Sequence, residues 1–263
     1  MKFLSNYKSC LKISMFLIIF LMVASCGANR KGPSQEDLLK ATSYYQLAIS
    51  AFTNGNVVDA LQSLKEVEKY DPNHIEAKNL LGLIFLSRGM FPDAEKQFKE
   101  TIAIDPTFSE AYLSMSGVYM AQSKWQEAID VLKVPADDLM YRRKDMVYDN
   151  LGWCYSQLGQ NEKAIKNART ATIENPQFCH AWYTLGRVYK KASLLKESQR
   201  ALEKAVEMKH CVKFLAAYHE LGIVAYSRQE YETARQAFTN CIANGEPGSQ
   251  IVEECKAYYA NLP

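Results

Sequence analysis

Residues 145–178 read DMVYDNLGWCYSQLGQNEKAIKNARTATIENPQF. Two amphipathic helical stretches flank Leu158-Gly159-Gln160, where a short helix–helix turn is needed. Counted from Asp145, Tyr148 stands at position 4, Leu151 and Gly152 at 7 and 8, and Tyr155 at 11. Ala164, Ala168 and Ala171 follow at 20, 24 and 27, and Pro176 at 32. Each residue type has a physical reason. Small residues at 8 and 20 let two antiparallel helices approach closely, and the large residues fill the gaps beside them. Pro176 cannot continue the second helix and pushes the residue before it out of the helical region.

The same template recurs outward in both directions. Asp71-Pro72 and Asp105-Pro106 lie 34 residues apart, the period of the tetratricopeptide repeat. Upstream, 41–74 supplies Tyr44, Leu47, Ala48, Ala60 and Pro72, and 75–108 supplies Leu81, Gly82, Phe85, Ala94, Phe98 and Pro106. The window 109–144 offers Tyr112, Met115, Ser116 and Ala128; 179–214 offers Trp182, Leu185, Gly186, Ser198 and Leu202; 215–248 offers Tyr218, Leu221, Gly222, Ala234 and Phe238. The third and fifth windows carry two extra residues each. Residues 249–261 form one more amphipathic stretch, the cap that a stacked array requires. These spacings predict an all-α tetratricopeptide-repeat solenoid over 37–263, with six helix-turn-helix repeats and a C-terminal capping helix.

The first 25 residues have a different character. Lys2, Lys8 and Lys12 precede an apolar run, Ile13 to Val23, too short for a membrane-spanning helix and shaped like an export signal. Val23-Ala24-Ser25-Cys26 resembles the bacterial lipobox, so 1–25 is expected to be removed and Cys26 lipidated. With Gly27 after the cysteine, the outer membrane is the expected destination, the chain facing the periplasm. Residues 26–36 then read as a tether, Gly- and Pro-containing and without apolar periodicity. Across the chain, 31 Lys and Arg balance 29 Asp and Glu, which gives no electrostatic basis for binding nucleic acid.

Chemistry-bearing patterns are sparse. His74, His180, His210 and His219 make no metal pair on one helix turn, and HExxH, CxxC and Gly-rich phosphate loops are absent from the sequence. The expectation is a protein that is not an enzyme, with no cofactor beyond the lipid on Cys26, no metal and no small-molecule substrate. Among the later cysteines, Cys179 opens a first helix and Cys211 follows its second helix, so the hairpin can bring them together. Cys241 and Cys255 lie on the last repeat helix and the cap, and Cys211–Cys241 is also geometrically open. Export to an oxidising compartment predicts two bridges among these four, with Cys154 a buried free thiol.

First-helix positions 2, 5, 9, 12 and 13 line the inner face of such a solenoid. In the first three repeats they include Tyr45, Ile49, Phe52, Asn79, Leu83, Leu86, Leu113 and Met120; later they turn polar, with Asp149, Gln157, Arg187, Lys190 and Lys191 around Trp153. An apolar stretch of that size predicts a groove for an extended segment or helix of a partner protein.

The lengthened third repeat, Asp137-Asp138-Leu139-Met140-Tyr141, runs into Asn150-Leu151-Gly152-Trp153-Cys154. Together with Cys26 and the repeats, this resembles the type IV pilus biogenesis and stability lipoproteins, the PilF/PilW/Tgl group. Arg142 stands where that group often has Pro, and Asn175-Pro176-Gln177-Phe178-Cys179 is most similar to its Tgl-like branch. The resemblance implies a pilotin: an outer-membrane lipoprotein that binds the pilus secretin subunit and promotes its insertion and multimer assembly. The alternative is a general periplasmic adaptor scaffolding peptidoglycan hydrolases or proteases.

Overall fold

The computed structural model describes residues 32–263. The signal segment 1–25 and Cys26 lie outside the described residues. Among the described residues thirteen α-helices follow one another: α1 (Gln35–Thr53), α2 (Val57–Tyr70), α3 (Ile75–Ser87), α4 (Phe91–Ile104), α5 (Ser109–Ala121), α6 (Trp125–Asp137), α7 (Lys144–Gln157), α8 (Asn161–Glu174), α9 (Cys179–Lys191), α10 (Leu195–Glu207), α11 (Leu215–Ser227), α12 (Tyr231–Asn244) and α13 (Gln250–Ala260). They pair as six hairpins, α1/α2 through α11/α12, and α13 packs on the last of them. First helices of neighbouring repeats touch one another, while second helices make no comparable contacts, so the first helices line the inside of the curve. The chain is an all-α tetratricopeptide-repeat solenoid. None of the described helices is long and apolar enough to cross a membrane.

The template positions become the core. Position 20 is fully buried in all six repeats, as Ala60, Ala94, Ala128, Ala164, Ser198 and Ala234. Where serine replaces alanine, its hydroxyl donates to the Gly186 carbonyl across the hairpin at 2.8 Å, which removes the cost of burying it. Position 8 sets the helix–helix distance: a Cβ on Gly152 would lie 2.8 Å from the Ala168 backbone nitrogen, and one on Gly82 would meet the Phe98 ring at 2.5 Å. The first contact is with main chain, so α7 and α8 cannot part locally to admit a side chain.

Three departures from the repeat template have local causes. Helix α1 begins at Gln35, inside the expected tether, because Ser34 and Asp37 form a reciprocal capping box: the Asp37 amide donates to Ser34 Oγ and the Ser34 amide to Asp37 Oδ2, each at 3.1 Å. Leu47, at a position buried or half-buried in the other repeats, is 56% exposed because, among the described residues, no earlier helix packs against it. Pro135 is accommodated near the end of α6, which stops at Asp137. The extra residues of the third and fifth repeats form the loop 138–143 and a 3-10 turn, Lys209–Cys211.

Candidate functional site

The inner face divides into two unlike parts. In the first, α1, α3 and α5 border a cleft of about 660 Å³ floored by Tyr45, Ile49, Leu80 and Leu83. Its far wall comes from the third-repeat insertion. Met140, 87% exposed, projects there. Beside it the Tyr141 hydroxyl donates to Glu110 Oε2 at 2.6 Å, and Arg143 pairs with the same carboxylate. Asp138 steadies the loop, accepting from Ser109 Oγ at 2.6 Å and from the Met140 amide at 3.0 Å. Burial together with Glu110 pushes the Tyr141 phenol well above its ordinary range, so this hydroxyl acts as a fixed donor.

Four of the expected groove residues, Tyr45, Ile49, Asn79 and Leu83, meet in this cleft. Asn79 is buried behind this cleft, and its Oδ1 is an unsatisfied acceptor enclosed by the protein. Phe52, Leu86 and Met120 lie away from it, half-buried against the hydrophobic clusters of their own repeats. Leu113 corrects the expectation. It is only 6% exposed and packs with Ile129, Leu132, Val147 and Leu151, so it belongs to the core. The cause is the approach of α7, whose Val147 and Leu151 join the buried cluster that encloses Leu113. Met140, Tyr141 and Glu110 were missed as site residues. The signal that could have found them was the pair of inserted residues, which must leave the repeat surface somewhere.

The second part runs over α7, α9 and α11 and is polar. His180 Nδ1 lies 2.6 Å from Asp149 Oδ2. Lys190 Nζ donates to Glu220 Oε1 at 2.7 Å and Lys191 Nζ to Gln157 Oε1 at 3.2 Å. Arg187 lies over the Trp153 ring, 3.8 Å from its centroid. His180 is also flanked by Phe178 and Phe214, at 5.9 and 6.0 Å between ring centroids. Burial opposes charging of this imidazole, but the hydrogen bond and charge of Asp149 outweigh it and hold the pKa above the ordinary value. His219 goes the other way: burial lowers its pKa, against the pull of Glu254.

Two disulfides fasten the same half, Cys179–Cys211 and Cys241–Cys255. Cys154 is a buried free thiol, its pKa pushed up to about 12 by burial, hence inert at neutral pH. The ligand atoms of Cys179, His210 and Cys211 lie within 4.8 Å of one another, but both sulfurs are joined in a bond and offer no thiolate to a metal.

Such a face, half oily cleft and half polar ladder on a rigid curved scaffold, defines a polypeptide-binding repeat protein. The comparisons agree on the class. A tetratricopeptide repeat family model matches residues 45–107, and a second of the same description matches 147–177 and 180–209. The type IV pilus assembly protein PilF of Pseudomonas aeruginosa is 23% identical over 122 residues, which cover 46% of this chain and 48% of that protein. The TPR repeat-containing protein YpiA of Bacillus subtilis is 25% identical over 213 residues, 78% of this chain and 47% of that one. The chain thus spans less than half the length of these curated relatives. Among solved structures, Pseudomonas aeruginosa PilF superposes with a TM-score of 0.70 at 17% identity, covering 85% of this chain and 99% of that one. PilW, described as a widely conserved type IV pilus biogenesis factor, gives 0.73 at 18% identity over 84% and 98%. At these identities the likeness establishes the fold.

Proposed function

We propose that the protein is a pilotin: an outer-membrane lipoprotein, anchored through Cys26 and facing the periplasm, that holds a type IV pilus secretin subunit and promotes its insertion and multimer assembly. The observation that carries this reading is the apolar cleft of the first three repeats, open on the inner face and walled by the inserted loop that bears Met140 and Tyr141. The near-complete structural coverage of PilF and PilW supports it. An amphipathic segment laid in the cleft would bury its apolar side chains against Tyr45, Ile49 and Leu83, keeping one subunit from premature association at the membrane where it must insert. The role is one of binding, without a catalytic step.

Deleting the gene is expected to abolish surface pili and leave the secretin monomeric. Intact pili with assembled secretin in the deletion strain would overturn the reading. Cys26→Ser is expected to release the protein from the membrane fraction, read by fractionation and by mass spectrometry of the mature N-terminus.

A further inference from the structure

Helix α9 turns four basic side chains toward the inner face: His180, Arg187, Lys190 and Lys191. Two are answered by carboxylates of the neighbouring repeats, His180 by Asp149 and Lys190 by Glu220. The other two are not. Lys191 donates to the neutral amide oxygen of Gln157. Arg187 is stacked, with its guanidinium carbon 3.8 Å from the Trp153 centroid and 5.4 Å from that of Tyr183. Among the described residues no carboxylate stands within ion-pair distance of it.

Arg187 and Lys191 are four residues apart on one helix, hence neighbours on one face. Aromatic stacking covers the flat side of a guanidinium and leaves its N–H edge free to meet a carboxylate in the plane. Trp153 is held one repeat earlier on α7, and the Cys179–Cys211 bridge fixes the start of α9, so the cation is preorganised. The site therefore offers a surplus of two cations on the same inner face as the apolar cleft, where a polypeptide lying along that face passes them.

We propose that Arg187 and Lys191 form an acidic-residue subsite, binding an Asp or Glu side chain of the same protein segment whose apolar residues enter the Tyr45–Leu83 cleft. The inference rests on the inner face being a partner groove, and it adds a requirement on the partner: apolar residues followed at a distance by an acidic one.

Panning a random-peptide display library against the immobilised whole protein tests both. Selected sequences are expected to be enriched in apolar residues and to carry Asp or Glu at a preferred distance from them. The same panning on Arg187→Gln should keep the apolar enrichment and lose the acidic one. Against the best selected peptide, Arg187→Gln is expected to weaken binding about tenfold or more, and Arg187→Lys, which keeps charge but not the plane, by less. Lys191→Gln should lower affinity while circular dichroism and Tm stay native. Apolar enrichment without acidic enrichment, or an acidic enrichment that survives in Arg187→Gln, overturns the subsite and leaves the groove standing. Absence of apolar enrichment removes the groove and the subsite with it.

Discussion

The two ends of the inner face use their side chains in opposite ways. Around α1, α3 and α5, Tyr45, Ile49, Leu83 and Met140 leave apolar surface open and Asn79 leaves an acceptor unpaired. Around α7, α9 and α11, much of the polar surface is spent between repeats, in the pairs Asp149–His180, Gln157–Lys191 and Glu220–Lys190, and two disulfides brace the stack. A repeat array is stabilised mainly through nearest neighbours, so cross-repeat pairs that rigidify one half do little for the other. The comparison teaches a division of labour: a braced half that holds its shape around two unpaired cations, and a half whose apolar surface lies open to a partner.

The sharpest way to break this comparison is to put a charge at two first-helix positions that look alike in the repeat template. Leu113→Asp places a carboxylate in the cluster of Ile129, Leu132 and Leu151, and is expected to destabilise by about 4 kcal/mol or more, enough to unfold the middle repeats. Leu83→Asp, on the cleft floor, should leave Tm close to native and abolish capture of the secretin subunit in a pull-down. Equal Tm losses for the two would erase the distinction between core and cleft.

Next in size are the disulfides, which close segments of 32 and 14 residues. Chain-entropy arithmetic gives roughly 3–4 kcal/mol for each. Cys179→Ala with Cys211→Ala is expected to make repeats four to six the first to yield to limited proteolysis, while cleavage in 35–121 keeps its wild-type rate. Uniform acceleration along the chain would mean that the halves are not independent.

A smaller effect comes from pH. Because the folded pKa of His180 is raised above 6.5, the Asp149–His180 pair contributes fully below the unfolded value and its contribution is lost as pH rises through the folded one. His219, shifted down from 6.5, contributes above the unfolded value and loses its contribution as pH falls. The difference in Tm between the wild type and Asp149→Asn is therefore expected to shrink from pH 6 to pH 8, since only the first histidine touches Asp149. A difference that holds constant over that range would show that His180 does not change its charge within it.

The repeat starts at 75, 109, 145, 179 and 215 were legible to within one residue of the observed helix starts, because small and large residues recur at a fixed period that only helical hairpins can use. What stayed illegible depends on geometry between repeats. Position 5 reads as groove-facing in every repeat, yet Leu113 is enclosed in a cluster with Val147 and Leu151 of the next first helix while Tyr45 lines the cleft. Asp149 and His180 are 31 residues apart and meet only through the superhelical twist. The inserted loop was visible as a count of extra residues, but its folding back over Glu110 to wall the cleft needed the side chains. The early start of α1 had a local signal, Ser34 with Asp37, that a search for the repeat period passes over.

The turn between paired helices gives the finest test. Position 15 has positive φ in all six repeats: Gly55, Gly89 and Gly159 at 77°, 71° and 72°, and Ser123, Ser193 and Gln229 at 58°, 62° and 62°. A left-handed conformation costs an L-residue about 1–2 kcal/mol and glycine almost nothing. Glycine also adds roughly 0.4–1 kcal/mol of disorder to the unfolded chain, so the net gain is the remainder. Ser193→Gly and Gln229→Gly are each expected to stabilise by about 0.5 kcal/mol, read as a small rise in the midpoint of urea unfolding with an unchanged slope. Both turns lie in the braced half, and only Ser123 of the three non-glycine turns lies in the other. If the bracing is what lets strained turns persist, the same glycine replacements should raise the midpoint further when the Cys179–Cys211 bridge is reduced than when it is intact.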